Sequence, residues 1–300
     1  MTIRSKVLLV GDNPFHNISH LSQSRARERG ANPCDPEYAA RLIEVAVENG
    51  ADGFMFSISQ TTLEILRILR DRGRLSGLRL YAIAPYAYEY VRLASQLGGI
   101  PGLAKKVGGE ILTSRNASAL RFGLKGVLQT NPEALLKAYV SYELSRVKAY
   151  AGKKARVETL MLHQVVTDLA LALGMSWLFK AYVEFLRDLR IAPGFNTGNF
   201  AFLVNKLDEW GIDSKKTVVA APFNRVGFQM TPSPEECEEA LKRNSTLTVV
   251  AISVLASGYL TLVEAAEYLR DLPNIAGLSV GISKEKHAKE TFRLIRQMLG

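Results

Sequence analysis

Histidine ionises near neutral pH, so histidines gathered beside a carboxylate point to proton transfer. The chain has four histidines in 300 residues, and two of them fall at positions 11–20, reading Gly-Asp-Asn-Pro-Phe-His-Asn-Ile-Ser-His. That stretch sets Asp12 and Asn13 close to His16 and His20. Asp12 is the natural partner for either histidine, as base or as the group that orients the ring. A third histidine, His163, closes an apolar run at 157–162 and is well placed for general acid or base work. The expected catalytic residues are therefore Asp12, His16 and His163. His287 falls in the final amphipathic segment and reads as a surface residue.

The spacing of His16 and His20 would also suit zinc on one helical face, with Asp12 or His163 as third ligand. Pro14 argues against a helix there, and Asn17 stands where the metalloprotease pattern wants glutamate. Loop histidines more often cap backbone or touch substrate, so no metal is expected.

Other polar residues recur just after the apolar runs. Asn13, His20, Tyr86, Asn196, Asn199, Asn224 and Arg225 are the expected substrate contacts. The set is rich in amides and hydroxyls and poor in carboxylates. It suits a small polyhydroxylated or phosphorylated molecule, and suits magnesium or calcium poorly. Ser257 and Gly258, with Gly281, Ser283 and Lys284, follow the last two runs and are the expected phosphate or cofactor cradle. Lys284 at the start of the last helix opposes the helix dipole unless an anion lies nearby.

The elements that must position these residues alternate between short apolar runs and amphipathic helices. Strands are expected at 6–10, 53–58, 78–84, 157–162, 191–195, 217–222, 248–254 and 278–281. Helices are expected from Asp35 and Pro36 to Asn49, over 61–72, 132–150 and 176–189, from Ser233 and Pro234 onward, and over the C-terminal residues. Eight strands in this rhythm predict an α/β protein, a (β/α)₈ barrel formed as a single domain over 1–300. No Gly-x-Gly-x-x-Gly follows the first strand, which excludes the Rossmann fingerprint. The rhythm breaks at 85–130, a long insertion after the third strand. It is either a lid over the barrel mouth or an ordinary helical elaboration.

Composition narrows the class. With 47% hydrophobic and 22% charged residues the chain can bury a large core. No apolar run approaches the roughly 20 residues needed to span a bilayer. The first strand is too short for a signal-peptide core. The formal charge of +9 is scattered and no nucleic-acid motif accompanies it, so an anionic small-molecule substrate is expected rather than nucleic acid. Cys34 and Cys237 form neither a disulfide framework nor a zinc spacing, which suits a reducing cytoplasm. Self-association is left open.

Several segments in order resemble the aldo-keto reductase barrel. Leu162-His163 resembles that family's strand-four Leu-His. The run from Gly194 to Phe200 resembles its strand-five segment ending in Ser-Asn-Phe. The run from Val250 to Gly258 resembles its strand-seven segment, and that from Val280 to His287 its strand-eight turn. The resemblance covers roughly 157–300. It implies a (β/α)₈ fold, an NADP-type cofactor whose phosphate sits at the strand-eight turn, and a catalytic role for His163.

The first half departs from that pattern. The family's second strand ends in Asp-Thr-Ala with a catalytic tyrosine soon after, and its third strand supplies a lysine. Here Ser57 stands where the aspartate should be, no tyrosine follows before Tyr81, and the third strand ends in Ala84-Pro85. The first expectation is thus a non-redox enzyme that uses Asp12, His16 and His163 on a phosphorylated or polyol metabolite. The alternative is a divergent nicotinamide-dependent reductase with a proton donor from the tyrosines at 86, 88 and 90. A barrel that binds without catalysis is the third.

Overall fold

The computed structural model describes residues 6–17, 34–86, 95–98, 105–106, 109–110, 117–128 and 131–300. Eight parallel strands close into a barrel in chain order. They are β1 (Val7–Gly11), β2 (Gly53–Ser57), β3 (Arg79–Ala84), β4 (Arg156–Leu162), β5 (Ala192–Asn196), β6 (Val218–Pro222), β7 (Thr248–Ile252) and β8 (Ile275–Gly281). The helices among described residues are α1 (Pro36–Glu48), α2 (Gln60–Asp71), α3 (Ala117–Leu128), α4 (Pro132–Ala151) and α5 (Gln164–Ala172). They continue as α6 (Ser176–Asp188), α7 (Phe200–Glu209), α8 (Pro234–Arg243), α9 (Leu262–Asp271) and α10 (Glu285–Leu299).

Strand side chains alternate, so each strand feeds two cores. Leu9, Met55, Tyr81, Ile83, Met161, Val218, Ala220 and Val250 fill the barrel interior. The intervening residues, such as Leu8, Val10, Phe54, Phe56, Leu160 and Phe195, pack outward under the helices. The interior is tight. A Cβ at Gly194 would lie 2.4 Å from Met161 Cγ and 2.5 Å from Thr159 Oγ1, so only glycine lets β4 and β5 share that layer.

The amino-terminal end of the barrel is tied by one arginine. Arg296 of α10 donates to Gly50 O and Asp52 Oδ2, both at 2.7 Å, and to Lys6 O at 3.1 Å. Asp52 Oδ2 also accepts from Leu8 N–H at 2.8 Å. The last helix, the first strand and the turn into β2 are thereby pinned together. Lys6 Nζ closes the same seam on Leu269 O and Ile275 O.

The expected strands are all found, with ends shifted by a few residues. β7 stops at Ile252 because Ser253 takes left-handed backbone (φ 52°). β8 starts at Ile275, earlier than its apolar pattern suggested. Helices α5, α7 and α9 were not anticipated, although Thr261 and Glu264 form a capping box at the start of α9. Most of the 85–130 insertion lies outside the described residues; α3, within it, packs on α4. No helix among the described residues is long and apolar enough to cross a membrane.

Replacing Arg296 by alanine removes these charge-assisted bonds at once, and we expect a loss of about 2–4 kcal/mol in stability. Urea unfolding at unchanged m-value measures it. A loss below about 0.5 kcal/mol, typical of an ordinary surface site, would contradict the assigned role.

Candidate active site

The carboxyl ends of the strands bring together most of the residues expected to do chemistry. Immediately after β1 the chain makes a 3₁₀ turn, Asn13–His16, whose apolar members Pro14 and Phe15 are buried. Phe15 packs on Phe54 with ring centroids 6.0 Å apart, and Pro14 fits against Gly281, where a Cβ would come within 2.9 Å of the proline ring. This apolar anchor leaves the polar members of the turn together at the mouth. Asn17, in left-handed backbone (φ 57°), ends it.

Asp12 is buried to 5% exposure. Its Oδ2 accepts the backbone N–H of Ser57, at the end of β2, at 2.6 Å. The same oxygen lies 3.2 Å from His16 Nε2. That separation is an ion-pair distance, but its angle is too poor for a directed hydrogen bond, and Nε2 has no such bond otherwise. The His16 ring stacks on Tyr86, just beyond β3, at a centroid distance of 4.7 Å and an interplanar angle of 27°.

His163 follows β4 and extends its ladder by donating its N–H to Ala84 O at 2.9 Å. Met161 faces the barrel interior, so alternation turns His163 to the same side at the mouth. His163 is also the N-cap of α5, and its Nδ1 accepts the N–H of Val165 at 3.2 Å. That bond leaves the proton of the neutral ring on Nε2. Burial holds its pKa below the ordinary value of 6.5, while the negative charge of Asp12 pulls it back up. The neutral ring is therefore an Nε2–H donor in the field of the Asp12 carboxylate.

The opposite wall is built by β5 and held by a residue the sequence reading missed. Asn196 ends β5 on the inward face with 8% exposure. Beyond it, Asp168 on α5 accepts from Thr197 Oγ1, and its Oδ2 accepts Gly198 N–H at 3.1 Å. A Cβ at Gly198 would lie 2.5 Å from Gln164 Nε2, so glycine permits this close approach. Burial pushes the Asp168 carboxyl above its usual range, against the pull of Thr197, Gly198 and Gln164. Asn199 is the N-cap of α7 but makes no side-chain capping bond, and its buried Oδ1 has no partner. The one legible hint of Asp168 was a lone acid in the otherwise uncharged 164–174 segment.

The loop after β7 is built from left-handed backbone. Ser253, Ala256, Ser257 and Gly258 all have positive φ, at 52°, 43°, 60° and 89°. Three non-glycine residues in that region store strain, which accumulates at functional loops. After Gly281, Ile282 and Ser283, Lys284 is the extended N-cap of α10 and offers no side-chain cap. It is the cap itself rather than a first-turn residue, and it is exposed. Among the described residues, the N-cap side chain therefore leaves the first backbone N–H groups of α10 uncapped.

Two expected contacts are differently employed. The Asn224 amide is taken up by its own loop, donating to Phe228 O and accepting Phe228 N–H, both at 2.8 Å. Arg225 is exposed and lines an outer groove with Glu238, Lys242 and Glu267, between α8 and α9. Asn13 is exposed at the start of the 3₁₀ turn. His20 lies outside the described residues. Among those residues, no three His, Cys, Asp or Glu side chains gather closely enough to hold a metal ion.

Two outcomes follow from this geometry. Because folding lowers the His163 pKa, its contribution to stability is present above pH 6.5 and is lost as pH falls through the shifted value. Site-resolved NMR should place the His163 midpoint below that of an unfolded peptide; a midpoint at or above it would contradict the burial. Asp168→Ala should cost about 1–3 kcal/mol by freeing two donors of the Thr197–Gly198 turn. Asp168→Asn should also destabilise, since its amide nitrogen cannot accept. Thermal unfolding of both variants checks this, and an unchanged Asp168→Asn would contradict the clasp.

No protein-family model matches the chain, and no curated protein matches it. Solved structures do. The "putative aldo-keto reductase" PA4992 from Pseudomonas aeruginosa is similar at 14% identity with a TM-score of 0.62, over 99% of this chain and 92% of that one. Aldo-keto reductase AKR11C1 from Bacillus halodurans, in its holo form, is similar at 12% identity with a TM-score of 0.53, over 89% and 88%. The chain therefore shares the (β/α)₈ barrel fold of these structures over nearly its whole length.

Proposed function

We propose that this chain is a divergent nicotinamide-dependent oxidoreductase acting on a small carbonyl or alcohol substrate at the carboxyl end of the barrel. The observation that carries the reading is the position of Asp12. The aldo-keto reductase pattern wants a carboxylate at the end of the second strand, where this sequence has Ser57. Asp12 reaches that end from β1 and binds the Ser57 backbone N–H. The carboxylate is thus supplied from the neighbouring strand, in electrostatic reach of His163.

The residues present suit the cofactor that the fold family implies. The strained backbone from Ser253 to Gly258 and the uncapped start of α10 suit a pyrophosphate or phosphate, with Lys284 adding charge. The unpartnered Oδ1 of Asn199 suits a carboxamide N–H, and Asn196 ends the strand that leads to it. When bound, a nicotinamide ring would supply or accept the hydride. The chain's own part is to bind, orient and move the proton. His163 Nε2–H would hold the substrate oxygen. The Asp12–His16 pair would carry the proton, with Tyr86 stacked on His16. Ser57 in place of aspartate and the lack of a lysine ending β3 favour a second reading, acid–base chemistry on a phosphorylated metabolite without hydride transfer.

Titration with NADPH, followed by tryptophan fluorescence and thermal shift, separates the two. The reductase reading predicts micromolar binding, weakened about 3- to 10-fold by Lys284→Ala. With a carbonyl substrate found by screening, Asp12→Asn and His163→Ala should each lower kcat by about 100-fold or more. Absence of NADPH binding, with stabilisation by inorganic phosphate, would reject it in favour of the second reading.

A further inference from the structure

Gly198 is held from both sides at the barrel mouth. Its N–H donates to Asp168 Oδ2 at 3.1 Å, and its carbonyl accepts the N–H of Thr231, in the loop after β6, at 3.3 Å. Beside it, the fully buried Thr197 donates its hydroxyl proton to Asp168 Oδ1. The same hydroxyl oxygen accepts the Asn199 N–H at 2.9 Å. The direction of this relay is fixed, because a carboxylate only accepts and a backbone N–H only donates. The Asn199 side chain stands outside it. Asparagine is among the preferred N-cap residues, yet here it makes no capping bond and its buried Oδ1 has no partner. Thr197 thus ties down the Asn199 backbone without using its amide group.

We propose that Asp168 is a positioning residue for the ligand group that meets Asn199, acting through the Thr197 hydroxyl. This rests on the nicotinamide reading above, in which Asn199 Oδ1 takes the carboxamide. A hydroxyl proton rotates to suit its neighbours, and the Asp168 carboxylate fixes it away from the Asn199 N–H. The lone pair that receives that N–H is thereby set, and the Asn199 backbone with it. Asp168 also comes from the helix that His163 caps, and Leu162 pairs with Phe195 across β4 and β5. One carboxylate therefore holds the Asn199 turn in register with His163. Its effect falls on the nicotinamide end of the ligand and spares the phosphates, which the proposed cradle would hold on the loops after β7 and β8.

Calorimetric titration of the full chain with NADPH and with 2′-phospho-ADP-ribose, which has the phosphates but no nicotinamide, tests this. Thr197→Val and Asp168→Asn should each weaken NADPH binding about 5- to 10-fold and leave the fragment within about 2-fold of wild type. Thr197→Ser keeps the hydroxyl and should bind both ligands as wild type does. In an Asn199→Ala background, Thr197→Val should cost NADPH nothing more. Circular dichroism confirms folding, and Asp168→Asn carries the test if Thr197→Val fails to fold. Equal weakening of both ligands, or unchanged NADPH binding in a folded variant, would overturn the positioning role and leave the nicotinamide reading standing. So would a Thr197→Ser variant as weak as Thr197→Val, or a full penalty in the Asn199→Ala background. A wild type that binds no NADPH would reject that reading, and the proposal with it.

Discussion

A carboxylate taken out of water must be met by donors, or it is too unfavourable to keep. Asp12 is that carboxylate here, and the carboxyl end of the barrel is arranged around it. The Ser57 N–H bonds it at the end of β2, and His16 stands against the same oxygen. The turn that delivers it is fixed by apolar packing of Pro14 and Phe15 rather than by polar contacts. A buried charge is thus placed by hydrophobic anchoring, and its field extends to His163. The two histidines differ in what holds them. His163 is locked by its own backbone role as a helix cap, whereas His16 is set by ring stacking on Tyr86.

The residues proposed for catalysis and for anion binding sit in different kinds of backbone. Asp12, His163 and Asn196 sit at or just beyond strand ends, where the ladder fixes their direction. The proposed cradle lies in the loops after β7 and β8, with positive φ in the first and a helix start without an N-cap side-chain bond in the second. Asp168 joins two neighbouring segments of the mouth, tying α5, which begins at His163, to the turn after Asn196. Far from the chemistry, Arg296 supplies the corresponding tie at the other end of the barrel.

Much of the fold was legible because strand runs at 6–10, 53–58 or 217–222 are short, apolar on both faces and separated by capped helices. Caps at Asp35, Asn131 and Ser233 were visible as residue types and bond as expected. The end of β7 was harder, since left-handed backbone at Ser253 has no residue-type signature. Helix α5 was missed because its outward face is as apolar as its inward one, which erases the amphipathic pattern. In the site, proximity of Asp12 and His16 could be read from four-residue spacing. The union of Asp12 with Ser57 could not, because it depends on neighbouring β1 and β2 in the closed sheet. Asn224 looked like a substrate ligand for its position, yet its amide closes a local turn, a bond that strand-end reasoning does not see.

Asp12 reaches from β1 to the end of β2, which has no carboxylate of its own, and its charge acts on His163. The most direct measurement is the His163 titration in a charge-relocation series, which needs no knowledge of the substrate. Asp12→Asn should lower the His163 midpoint further, because the charge that raises it is gone. Adding Ser57→Asp to that variant should return the midpoint toward the wild-type value. A midpoint unmoved by Asp12→Asn, or not restored by Ser57→Asp, would contradict the account.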